Sequence, residues 1–118
     1  MDDLTAFITA RLDEDEAAAK AAWGVEWDWR YVAEPFGERP SIAHTVHIAR
    51  HDPARVLREV EGGRRTLARY QDCLARMENP DYPAAVARDQ AREYEDFVLP
   101  NLAAAWNDHP DCRPEWQP

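Results

Sequence analysis

Long apolar runs are missing from this 118-residue chain. No window approaches the roughly 18 consecutive apolar residues that a membrane span requires, so no membrane role is expected. Cysteine is scarce. Cys73 and Cys112 are the only two and form no CxxC pair, so each reads as a free structural thiol. Positive charge is in the minority, with 14 Lys and Arg against 23 Asp and Glu and a formal net charge of -9. That balance argues against nucleic-acid binding through phosphate contacts, which need basic surface. There is no serine–histidine–acid constellation, no phosphate-cradling glycine loop, no activated cysteine and no HExxH arrangement. The opening Met1-Asp2-Asp3 lacks the basic start and apolar run of a signal peptide, which makes the cytoplasm the expected location.

What is present suits an ordinary folded domain. Hydrophobic residues make up 45% and charged residues 31%. A chain of this length buries roughly two-thirds of its unfolded surface, enough for one domain over residues 1–118 without staples. The acidity favours solubility and suits a basic protein partner.

The first helix is the clearest element. Asp2 or Asp3 can cap it, and Leu4, Phe7, Ile8, Leu12, Asp15 and Ala19 follow helical spacing. The alanines from Ala17 to Ala22 extend it toward Gly24, a natural stop. The period then changes: Val25, Trp27, Trp29 and Tyr31 alternate with Glu26, Asp28 and Arg30, the repeat of a half-buried strand. A turn at Pro35-Phe36-Gly37 completes an expected β-hairpin over about residues 25–40. Ser41 can cap a short helix containing Ile42, Val46 and Ile48. Asp52-Pro53 then starts a long helix, with the aspartate as cap and the proline where a missing N–H costs nothing. Its inward row is Val56, Leu57, Val60, Leu67, Tyr70, Leu74 and Met77, with a bend allowed at Gly62-Gly63. After the loop Asn79–Pro83 a third helix follows, with Val86, Tyr94, Phe97 and Val98 inward and a bend or interruption at Pro100. The tail from Asn107 should be irregular and pinned by Trp116. The expected fold is mainly α: three principal helices with the hairpin between the first and second.

Three groups of side chains are candidates for function. His44, His47 and His51 lie at i, i+3 and i+7, and imidazoles so spaced can ligate zinc, iron or nickel, with Asp15 or its neighbours Glu14 and Glu16 adding a carboxylate. Against a metal site stands Asp52-Pro53, a helix start that takes His51 off the shared face. Asp15 continues the apolar stripe of the first helix, so an interhelical ion pair with Arg50, Arg55 or Arg58 is the favoured reading of that carboxylate. Trp27, Trp29 and Tyr31 form one aromatic face, either the core joining hairpin to helices or a ligand shelf.

Three stretches together are similar to a known family. They are Asp3-Leu4-Thr5-Ala6-Phe7 with Ala10-Arg11-Leu12-Asp13-Glu14-Asp15-Glu16, the run from His47 to Glu61 that reads HIARHDPARVLREVE, and Trp106-Asn107-Asp108-His109-Pro110-Asp111 with Glu115-Trp116. They resemble an uncharacterised actinobacterial family, domain of unknown function 6221. That resemblance implies no activity. Many of its members carry paired cysteines before the last helix, where this chain has a plain helical segment from Ala84 to Leu99, so no metal role of such cysteines transfers. A looser likeness is to small phage-encoded accessory proteins with a tryptophan hairpin ahead of a capped helix. Two function classes follow: a non-enzymatic accessory protein without cofactor, acting on another protein and compatible with homo-oligomers, or a small metal-binding protein or metal-dependent enzyme built on His44, His47 and His51.

Overall fold

The computed structural model describes residues 2–22 and 51–118. Helix α1 runs Asp2–Ala22 and helix α2 runs Pro53–Glu78. Helix α3 covers Ala84–Glu93 and passes through a π-helical turn, Tyr94–Val98, into the short helix α4, Leu99–Ala103. Two 3-10 turns, Ala104–Trp106 and Pro114–Trp116, carry the tail.

The described residues are 82% helical and contain no strand or sheet, which confirms a mainly α fold and corrects the expected β-hairpin. Among the described residues the core is closed helix against helix, by Leu4, Ile8 and Leu12 of α1, Val60 and Tyr70 of α2, and Leu99 and Ala103 of α4. The hairpin's own residues 25–40, the stop at Gly24, the short helix at Ser41–Ile48 and the aromatic face Trp27, Trp29 and Tyr31 lie outside the described residues.

The start of α2 follows from its first residues. The Arg55 backbone N–H donates to Asp52 Oδ1 at 2.8 Å, and Pro53 occupies the first turn. The helix continues unbroken through Gly62-Gly63, where a bend had been allowed. The second glycine has a packing role, since a Cβ on Gly63 would lie 2.9 Å from Leu12 Cδ2. Leu12 of α1 therefore packs directly against the α2 backbone where a side chain is absent.

Two expectations on α3 also change. Val86 and Phe97 were placed inward but are 45% and 63% exposed. The buried row is Ala87, Ala91, Leu99 and Ala103. In α3 the core-facing positions are Ala87 and Ala91, which leaves Val86 outside; for Phe97, Pro100 supplies the reason. It has no N–H to continue the ladder and its ring crowds the preceding turn, and the chain accommodates it by widening that turn: the Leu99 N–H reaches back five residues to the Tyr94 carbonyl. One extra residue per turn resets the helical phase, so Leu99 takes the place that Val98 would have held. At the end of α2, Met77 is likewise 42% exposed rather than inward.

The helices run up, down and up. Arg64 of α2 meets Asp13 of α1, and Tyr70, further along α2, meets Glu95 beyond α3. After Trp106 the chain reverses and descends along α1, with His109 beside Arg11, Arg113 beside Asp3 and Trp116 against Phe7.

Candidate functional site

The returning tail and α1 enclose a buried guanidinium. Arg11 falls on the same helical face as Phe7, Ile8 and Leu12 and is 7% exposed. Its Nη2 donates to Glu14 Oε1 at 2.7 Å, one turn along the helix. Its Nη1 lies 2.9 Å from His109 Nδ1, 2.8 Å from Nε2 and 3.7 Å from Asp111 Oδ2. The guanidinium carbon stands 5.2 Å from the centre of the Phe7 ring, within cation–π range. Arg11 Nε is buried without a hydrogen-bond partner among the described residues.

Each turn of the tail has its own anchor on α1. The Trp106 indole N–H donates to Asp15 Oδ2 at 3.1 Å. The His109 ring meets Phe7 edge-on, centroids 5.8 Å apart, and accepts at Nδ1 from the Asp111 backbone N–H at 3.1 Å. Trp116 also packs against Phe7, centroids 5.3 Å apart, Arg113 lies over Trp116 at 4.9 Å, and Arg113 also pairs with Asp3 at 3.0 Å. Between tail and helix lies an open groove of about 470 Å³, lined by Phe7, Arg11, Trp116, Arg113 and the carboxylates of Asp3 and Asp111.

A second charged cluster joins α1 to α2. Arg64 donates to Asp13 Oδ1 at 2.8 Å and pairs with Glu16, which also pairs with Lys20. The hydrogen bond from Lys20, and then that from Arg64, holds the Glu16 carboxyl below the usual carboxylate range despite some desolvation. Asp13 and Glu16 in turn raise Arg64 above its ordinary value. Deeper in the core the Tyr70 hydroxyl donates to Glu95 Oε1 at 2.7 Å. Burial, followed by that hydrogen bond to an anion, pushes the phenol well up.

Against this geometry the expected site residues fall as follows. Asp15 is half-buried and is engaged by the Trp106 indole. Arg55 pairs with Glu59 on its own helix at 2.9 Å, and Arg58 is exposed. Among the described residues the charged link from α1 to α2 is carried by Arg64, six residues beyond Arg58. His51 is exposed in the turn before Asp52. His44, His47 and Arg50 lie outside the described residues. No group of three or more histidine, cysteine or acidic side chains is placed to hold a metal ion among the described residues. Cys73 and Cys112 are both free.

Sequence reasoning missed the burial of Arg11 and its contact with His109. A signal for the first was available: position 11 continues the row 4, 7, 8, 12, so the helical period already faced it inward. For the second, the only hint was the family resemblance itself, whose opening and closing stretches supply Arg11, Asp15, Trp106, His109, Asp111 and Trp116 to a single seam.

No helix among the described residues is long and apolar enough to cross a membrane. No curated protein and no solved structure matches the chain. The model of one family does match, and it spans residues 1–118: the chain belongs to the family of unknown function DUF6221.

Proposed function

We propose that this chain is a non-enzymatic accessory protein of the cytoplasm that binds a basic protein through its carboxylate-rich surface. The observation that carries this reading is how the cations are used. Arg11, Lys20, Arg55, Arg64, Arg65 and Arg113 each pair with a carboxylate of the same chain. The acidic excess is left facing solvent, for example at Asp72, Asp81, Asp89, Asp96 and Glu115. Exposed charge of one sign speeds and selects encounters with a partner of the other sign. The displaced titrations of Glu16 and Tyr70 have structural causes, a salt link and a core hydrogen bond, rather than the layout of an acid–base pair in a cleft.

Affinity capture from the native host, followed by calorimetry with the captured protein in purified form, tests this. The expected result is a basic partner whose affinity falls as salt rises. A partner of acidic or neutral surface, or an affinity indifferent to salt, would overturn the reading. Elemental analysis of protein made without a histidine tag decides the competing metal reading. One transition-metal ion per chain, lost in His47→Ala, would establish the metal-binding alternative; its absence is the expected outcome. Light scattering at several concentrations measures whether the partner is a second copy.

A further inference from the structure

We propose that the outer face of α3 and of the π-helical turn after it is the docking surface for a basic protein segment, with the Phe97 side chain as its anchor. This rests on the reading above that the partner is basic, and it adds where that partner sits and what it carries.

Phe97 is 63% exposed, more than Met77 or Val86, the other large apolar side chains left outside among the described residues. The widened turn gives the core position to Leu99, and the core is closed without the Phe97 ring. Aromatic rings are enriched at the centres of protein interfaces, where a few side chains carry most of the binding energy. Asp89, Glu93 and Phe97 follow one another at intervals of four, with Asp96 beside Phe97, and all four are exposed. None of these three carboxylates pairs with a cation among the described residues, unlike Asp13 and Glu16, which Arg64 holds. Glu95, in the same turn, is occupied by the Tyr70 hydroxyl.

Arginines bound this acidic row on both sides. Arg88 and Arg92 form the next row round α3. Arg69 and Arg76 of α2 stand across a groove of about 380 Å³ that Asp89, Glu93, Cys73 and Tyr94 also line. An acidic strip between basic margins fits one narrow segment, with cations over Asp89, Glu93 and Asp96 and an apolar residue on Phe97. A second copy would set three carboxylates against three, and a nucleic acid or an anionic membrane would meet the same repulsion.

Amide NMR of the labelled full chain tests the face, with two synthetic lysine peptides as probes, one carrying central leucines and the other alanines in their place. The leucine peptide should shift amides between Asp89 and Asn101, leave α1 unmoved, and bind about tenfold tighter than the alanine peptide. Phe97→Ser should remove that tenfold with the thermal melt unchanged, because the ring lies outside the core. The combined Asp89→Asn, Glu93→Gln and Asp96→Asn chain keeps the ring and should weaken both peptides and flatten their salt dependence. Shifts centred on the α1 carboxylates, equal affinity in Phe97→Ser, or no binding of either peptide would overturn the proposal. Should Phe97→Ser lower the melting temperature, the charge variant and the amide map decide. The captured partner separates this proposal from the reading beneath it. A salt-sensitive basic partner indifferent to Phe97→Ser sinks the docking face alone, and a partner indifferent to salt sinks both.

Discussion

Helix α1 has two seams, and they are built by different means. Toward α2 it presents Leu4, Ile8 and Leu12, with Leu12 against the bare backbone of Gly63, and its charged groups stay at the rim with Arg64. Toward the tail it presents Phe7, Arg11 and Asp15, and the contacts are an indole on a carboxylate and an imidazole on a buried guanidinium. The first seam depends mainly on the volume of apolar atoms, which carry no proton to gain or lose. The second adds donors that must meet acceptors to its ring contacts, so removing one polar atom leaves its partner unsatisfied. Stability should therefore reside in the α1–α2 seam, and any conditional behaviour in the tail seam.

The largest test of that contrast is Ile8→Ala. Ile8 is fully buried, and losing its side chain should lower the unfolding free energy by about 3 kcal/mol, measured in urea. A loss much below that would show that the core seam is not the main support. Trp106→Phe should act on the other seam. It removes the donor to Asp15, a hydrogen bond worth about 1 kcal/mol, and tail amides should exchange faster while α2 amides do not. Equal acceleration in both would mean that the two seams melt as one.

The paired glycines sharpen the first seam. Around Gly62 an added Cβ meets nothing within 4 Å, so Gly62→Ala should stabilise by about 1 kcal/mol through helix propensity. Gly63→Ala should fall short of that gain, because Leu12 must shift to admit the methyl group. If thermal melts showed the same gain at both positions, Leu12 would not be held tightly. The smallest effect belongs to Arg64→Gln at the exposed rim. Glu16 titrates below its ordinary range, so its contribution is present above that range and is lost as pH falls through the lowered value. Arg64→Gln should weaken this acid limb in low salt and leave little difference in high salt. Tyr70 has the opposite sign. Its phenol is raised, so its contribution is complete below the ordinary tyrosine range and is lost in alkali, a limb that Tyr70→Phe should remove.

Much of the helical framework was legible because its signals are local. The stripe of α1 is buried at Leu4, Phe7, Ile8, Leu12 and Ala19 as its period requires, and Asp52-Pro53 starts α2 where its cap chemistry puts it. The errors on α3 are equally instructive. Pro100 marked a disturbance, but a period of 3.6 carried through it places Phe97 and Val98 inward, and only the inserted π-helical residue shows that the phase moves to Leu99. Asp15, on the same stripe of α1, is half-buried, and helical spacing names no partner for it. The indole that donates to it belongs to a tryptophan 91 positions away.

The sequence alone determined that this chain is acidic, builds helices over α1 and α2 and turns at Asn79–Pro83, because caps, prolines and apolar periods act over a few neighbouring residues. Tertiary structure alone decided that Arg64 links α2 to α1, that Gly63 makes room for the Leu12 side chain, and that Arg11 is buried against His109. Arg11 and His109 stand 98 positions apart, and no local pattern relates them. Their contact exists because the chain turns at Trp106 and runs back along α1, a path set by the packing of the whole bundle.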